Sequence, residues 1–206
     1  MKRDFKKERK DLYSPKASIF EVSVPSMKFI AVDGSGPLTG ENIQEMMEVI
    51  FNLAYGIRLC RMHGVQPEDY YEYTVMPPEG LYGTLDTPFC VEDESTWVWK
   101  MAIRQPEFVD EEFFEAIKES VKKKKPGLDL DKAYLLETEE GPSVQMLHMG
   151  SYSSVGESVG KMMNYIKEKE YAVNGPYHEI YLSDPNRVEE SKLKTIIRFP
   201  VVPRSL

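Results

Sequence analysis

Two stretches of this chain follow one plan. MKFIAVDGSGP and VQMLHMGSYSS are each an apolar strand pattern running into a glycine corner. Each is followed by a long helical pattern and then by two more strand patterns. A repeated strand–helix–strand–strand unit is read here as an internal duplication. Two such units can join their sheets along an edge. The expected fold is therefore α+β, an antiparallel sheet built from duplicated modules. Its helices would cover one face, and a concave ligand cleft would lie on the other. A ferredoxin-like domain with added strands is the competing arrangement. The division read from the chain is a lead-in over residues 1–16 and one domain over 17–206, with pseudo-repeats of about 17–125 and 126–206.

Within this plan, ASIFEVSVP and MKFIAVDG read as strands separated by a turn at Pro25-Ser26. A helix is expected from Glu41 to about His63, with Gly64 as its stop. YYEYTVMPP reads as an alternating strand, EGLYGTLDTP as a loop or short strand, and STWVWKMAIRQP as a clear strand ended by Pro106. VDEEFFEAIKESVKKKK reads as an amphipathic helix capped by Asp110, its lysines a solvated end facing the negative pole of the dipole. KAYLLETEEG, YHEIYLSDP and TIIRFPVVP supply later strands, and a helix is expected from about Ser154 to Lys169. The lead-in is expected to fray or to lie across the surface.

The formal net charge of -8 argues against a phosphate-backbone partner and against docking on an anionic membrane. No apolar run has the length of a membrane span, and the basic N-terminal stretch lacks the apolar segment of a secretory signal. Cys60 and Cys90 stand alone and read as reduced, partly buried thiols, which suits a cytoplasmic protein. No metal or cofactor is expected. GSGPLTG lacks the lysine of a phosphate loop, and Ser153 and Ser154 lack a nucleophile elbow.

Strand parity singles out HEIYLSDP, where Glu179, Tyr181 and Ser183 share one face. A carboxylate among apolar strand residues is costly to bury without a partner or a task. Burial would raise its pKa and make it a better base near neutral pH. The reading stays open between that role and a sheet-edge salt bridge. In WVWKMAIRQP, Trp97, Trp99 and Met101 share a face that could line a slot for a planar ring or could simply be core. Tyr71, Tyr82, Tyr152 and Tyr181 are among the tyrosines at strand ends or turns, where a pocket rim would lie. His148 has no partner at metal-ligand spacing and reads as a satisfied histidine.

HEIYLSDP, KLKTIIRFPV, LHMGSYSSVGES, VMPPEGLYG and WVWKMAIRQPEFV together resemble the GyrI-like (gyrase-inhibitor-like) small-molecule-binding proteins, over about Ala17 to Pro203. The resemblance implies a duplicated fold with a central ligand cleft. Relatives include the drug-sensing domains of multidrug-responsive regulators, in which a buried glutamate at the position of Glu179 faces aromatic, often cationic, drugs. No helix-turn-helix domain precedes residue 17, so a regulator of that kind is not expected. Some stand-alone members hydrolyse the cyclopropane ring of DNA-alkylating natural products. Tyr82 stands where such members commonly carry tryptophan.

By that resemblance Glu179 would be the general base on water and Tyr71 a catalytic partner. Trp97, Trp99, Met101, Tyr82, His148, Tyr152 and Tyr181 would contact a flat aromatic or lipophilic substrate. The alternative is a module that sequesters lipophilic or cationic drugs unchanged, with Glu179 as counter-charge. A third possibility, a topoisomerase-binding role, has no marked interface in the sequence. A monomer or a homodimer fits either main reading.

Overall fold

The computed structural model describes residues 2–14, 16–84 and 94–204. Its strands are β1 (Phe20–Val24), β2 (Met27–Ser35), β3 (Pro78–Tyr82), β4 (Val98–Gln105), β5 (Ala133–Thr138), β6 (Gly141–Met149), β7 (Tyr171–Val173), β8 (Tyr177–Tyr181) and β9 (Lys194–Pro203). Its α-helices are α1 (Phe5–Glu8), α2 (Lys10–Tyr13), α3 (Gly40–Arg58), α4 (Glu111–Lys124) and α5 (Val155–Glu168). Every strand pairing is antiparallel, in the order β1-β6-β9-β8-β3-β4-β2-β5, with β7 on β9. The expected class therefore holds. The helix α3 packs on β2 and β4, α4 on α3, and α5 on β6, β7 and β9. No helix among the described residues is long and apolar enough to cross a membrane.

The strand order reads alike from both edges. Each half contributes three neighbouring strands, β3-β4-β2 and β8-β9-β6, and the halves meet where β3 pairs with β8. The strand leading into each half crosses over to the other half's edge: β1 lies on β6, and β5 lies on β2.

Local chemistry explains where the elements stop. Asp110 caps α4 through its Oδ1, which accepts from the Phe113 N–H at 2.8 Å. The first long helix ends at Arg58 rather than at His63. A 3-10 turn follows over Cys60–His63, and Gly64 closes it with φ 73°. The strand expected at YYEYTVMPP is instead an irregular segment that makes one β-bridge, Arg3 to Tyr73. The Tyr73 carbonyl there accepts from the Arg58 guanidinium at 2.6 Å. Pro77 and Pro78 have no N–H to give a ladder, and regular pairing starts only at Pro78.

The lead-in lies across the sheet and is pinned there. Phe5, Leu12 and Tyr13 are buried. Arg198 donates to the Leu12 carbonyl at 3.3 Å, and the Gln145 amide donates to the Asp11 carbonyl at 2.6 Å. Beneath lies a buried polar cluster. His178 contacts Glu79 at 2.9 Å and Glu140 at 2.8 Å, and Arg198 contacts Glu140 at 3.0 Å. Cys60 is buried, as expected, and Cys90 lies outside the described residues.

Candidate functional site

Glu179 sits on β8 at the seam between the halves, directly opposite Gly80 of β3 and Ile197 of β9. Register places Tyr177, Glu179, Tyr181, Tyr82, Gly80, Trp99, Met101 and His148 on one face of the sheet. That face also carries α5, because His148 Nδ1 lies 2.9 Å from the Ser158 hydroxyl. Glu179 therefore points to the α5 side of the sheet, not to the side away from the helices. The other side of β8 is taken by His178 and the buried cluster under the lead-in.

The Glu179 carboxylate is held by tyrosines. Tyr177 donates to Oε1, and Tyr181 donates to Oε2 at 2.7 Å. The Tyr181 hydroxyl also lies 2.5 Å from that of Tyr82. Burial pushes the Glu179 pKa above the usual carboxylate range, while the two tyrosine bonds and the histidines nearby pull it back. The same burial, with the negative charge of Glu179, pushes Tyr177 and Tyr181 well above the ordinary tyrosine value. The resulting unit is one carboxylate with a raised proton affinity, bounded by neutral phenols.

Two glycines make the room. A Cβ at Gly80 would lie 2.7 Å from the Tyr82 ring and 3.0 Å from the Tyr181 hydroxyl. A Cβ at Gly34 would fall 1.8 Å from the Trp99 ring, whose Nε1 donates to the Gly36 carbonyl at 3.0 Å. Trp97 meets the Tyr82 ring edge-on at 6.2 Å, and Tyr152 meets Tyr181 edge-on at 5.7 Å. Tyr177 stacks on Phe199 at 5.0 Å.

The GyrI-like small molecule binding domain matches residues 18–202. The chain belongs to the GyrI-like family. Among solved structures, an uncharacterized conserved protein from Listeria innocua is 37% identical with a TM-score of 0.90, covering 98% of this chain and 100% of that one. A hydrolase from Listeria innocua is 36% identical with a TM-score of 0.87, over the same shares of both chains. The C-terminal domain of EcmrR shares the fold at 12% identity and a TM-score of 0.60, covering 90% of this chain and 98% of that one. No curated protein sequence matches the chain.

Within this GyrI-like domain the residues singled out from sequence divide into two groups. Tyr82, Trp97, Trp99, Met101, His148, Tyr152 and Tyr181 gather on the Glu179 face or against its tyrosines. Met101 is paired with Gly80 and is buried in the core. His148 is satisfied by Ser158, by Ser154 and by the Ser151 carbonyl. Tyr71 joins a different cluster: its hydroxyl donates to Glu107, Arg3 lies over its ring at 4.4 Å, and Phe108 packs edge-on. Tyr177 and Gly80 were not singled out from sequence. Tyr177 stands two residues before Glu179, so parity alone could have found it.

Of two surface cavities, of about 290 and 400 Å³, the first is lined by Trp99 together with Asp33, Leu81, Lys100 and Leu136 among others. Glu179 lines neither. Among the described residues no group of three or more His, Cys, Asp and Glu side chains could hold a metal ion.

Proposed function

We propose that this GyrI-like protein hydrolyses flat aromatic electrophiles carrying a strained cyclopropane ring, with Glu179 as general base on the attacking water. One observation carries the reading: a buried carboxylate with raised proton affinity, at the seam of the sheet, in hydrogen bonds to tyrosine hydroxyls. A carboxylate whose proton affinity is raised is a stronger base than an ordinary one. The relative from Listeria innocua described as a hydrolase, 36% identical over the full length, supports the reaction class. Tyr82, Tyr152, Trp97 and Trp99 would pack the planar substrate, with Met101 and His148 behind them. Tyr71, whose hydroxyl donates to Glu107 in the cluster with Arg3, is the remaining catalytic candidate. The protein would act in the cytoplasm, as a monomer or homodimer.

The test is incubation with a panel of cyclopropane-bearing alkylators, followed by mass spectrometry for water addition. Glu179→Gln should keep binding and lower turnover by about a hundredfold to ten-thousandfold, the usual worth of a general base. Wild-type rates in that variant would remove Glu179 from the mechanism. Ligand that binds and is recovered unchanged from the wild type would instead favour sequestration, with Glu179 as counter-charge.

A further inference from the structure

The two oxygens of the Glu179 carboxylate have unequal surroundings. Oε1 is bonded by Tyr177, which is only 2% exposed and lies against Phe199. Oε2 is bonded by Tyr181, which is partly buried and borders Tyr152, itself 41% exposed. The Tyr181 side of the carboxylate is thus the less deeply buried one.

The direction of the hydrogen bonds follows from the donor inventory. An ionised carboxylate only accepts, so the single O–H of Tyr181 is committed to Oε2. Tyr82 must then be the donor across its 2.5 Å contact with Tyr181. A phenol oxygen has two lone pairs. One accepts from Tyr82, and the other is left to accept from a water. A phenol held neutral by burial beside a negative charge does not lose its proton outright. It can pass one on only while receiving another.

We propose that Tyr181 is a further catalytic residue, handing a proton from the attacking water to Glu179. The proposal rests on the hydrolytic reading given above and adds the route the proton takes. A lone pair of the water oxygen forms the C–O bond to a cyclopropane carbon. In the same step a water proton moves to the Tyr181 oxygen, and the Tyr181 proton moves to Glu179 Oε2. The ring C–C bond breaks, and its electron pair runs through the conjugated system to the substrate's carbonyl oxygen, which takes a proton from solvent. Glu179 then returns its proton through Tyr181 to water. Tyr177, bonded to the other oxygen, is a positioning residue that favours the ionised carboxylate.

The experiment measures kcat and KM for a cyclopropane-bearing aromatic alkylator as a function of pH, with the full chain as wild type, Tyr181→Phe and Tyr177→Phe. Tyr181→Phe should lower kcat about a hundredfold or more at every pH, with KM little changed. Tyr177→Phe removes a bond to the charged form, so its acid limb should move to higher pH and its rate should recover above that limb. A proton inventory on the wild type, in mixtures of light and heavy water, should curve as two transferring protons require. A Tyr181→Phe enzyme that keeps its rate, or recovers it at high pH as Tyr177→Phe does, would overturn the relay and leave Glu179 as a direct base. A linear inventory would do the same. A wild type that adds no water would overturn the hydrolytic reading and the relay together.

Discussion

His178 and Glu179 are neighbours on β8 that face opposite sides of the sheet and meet opposite electrostatics. Burial works against a charge on His178, but Glu140 and Glu79 outweigh it and push its pKa up to about 9. Both ring nitrogens lie against carboxylates, an arrangement that suits the doubly protonated ring, which donates from each. Burial likewise opposes a charge on Glu140, yet His178 and Arg198 hold it down at about 2. The signs give a stability window. The His178 contribution is complete below its ordinary 6.5 and is lost as pH rises through about 9. The Glu140 contribution is complete above its ordinary 4.5 and is lost as pH falls through about 2. Urea midpoints should therefore fall between neutral and alkaline pH, and His178→Gln should flatten that slope. The substitution should also cost about 3–5 kcal/mol near neutral pH, because it leaves buried carboxylates short of a partner. An unchanged slope in the variant would place the alkaline loss elsewhere.

At the scale of elements, the lead-in does structural work that its composition hides. Sixteen residues with a basic, polar look contain Phe5, Leu12 and Tyr13, all buried, and the backbone carbonyls of Asp11 and Leu12 satisfy Gln145 and Arg198. Arg104 lies 4.5 Å from the Phe5 ring centroid, so the same segment also touches the first half of the sheet. Leu12→Ala should destabilise the protein by about 2–5 kcal/mol in urea titrations, as for other fully buried leucines. A change below about 0.5 kcal/mol would mean that the segment is not fixed to the sheet in solution.

The whole molecule is two halves that exchange their leading strands. Because β1 completes the β6 edge and β5 completes the β2 edge, neither half holds all its pairing partners alone. The β3–β8 seam joins them through the backbone ladder that also opposes Gly80 to Glu179. Unfolding should accordingly be cooperative. Urea transitions followed by tryptophan fluorescence, which reports β4 and its N-terminal flank, should coincide with those followed by far-UV circular dichroism. Separated midpoints would show that the halves melt independently.

The sequence by itself determined the α+β class, the Asp110 cap, and the sharing of one strand face by Glu179 and Tyr181, but not the irregular path at YYEYTVMPP. These are readable because side-chain periodicity and capping act over a few residues. Only the tertiary structure decided which side of the sheet the carboxylate faces, that Tyr82 of β3 reaches Tyr181 of β8, and that Tyr71 belongs with Arg3 and Glu107. It also decided that Glu79, Glu140, His178 and Arg198 meet in one buried cluster. Tyr82 and Tyr181 stand 99 positions apart, and Arg198 and Leu12 stand 186 apart. Periodicity assigns a residue to a face of its own strand. Tyr177 and Tyr181 bond Glu179 from its own strand, whereas strand order and register decide which residues from other strands share that face, and only the β3–β8 pairing brings Tyr82 to Tyr181.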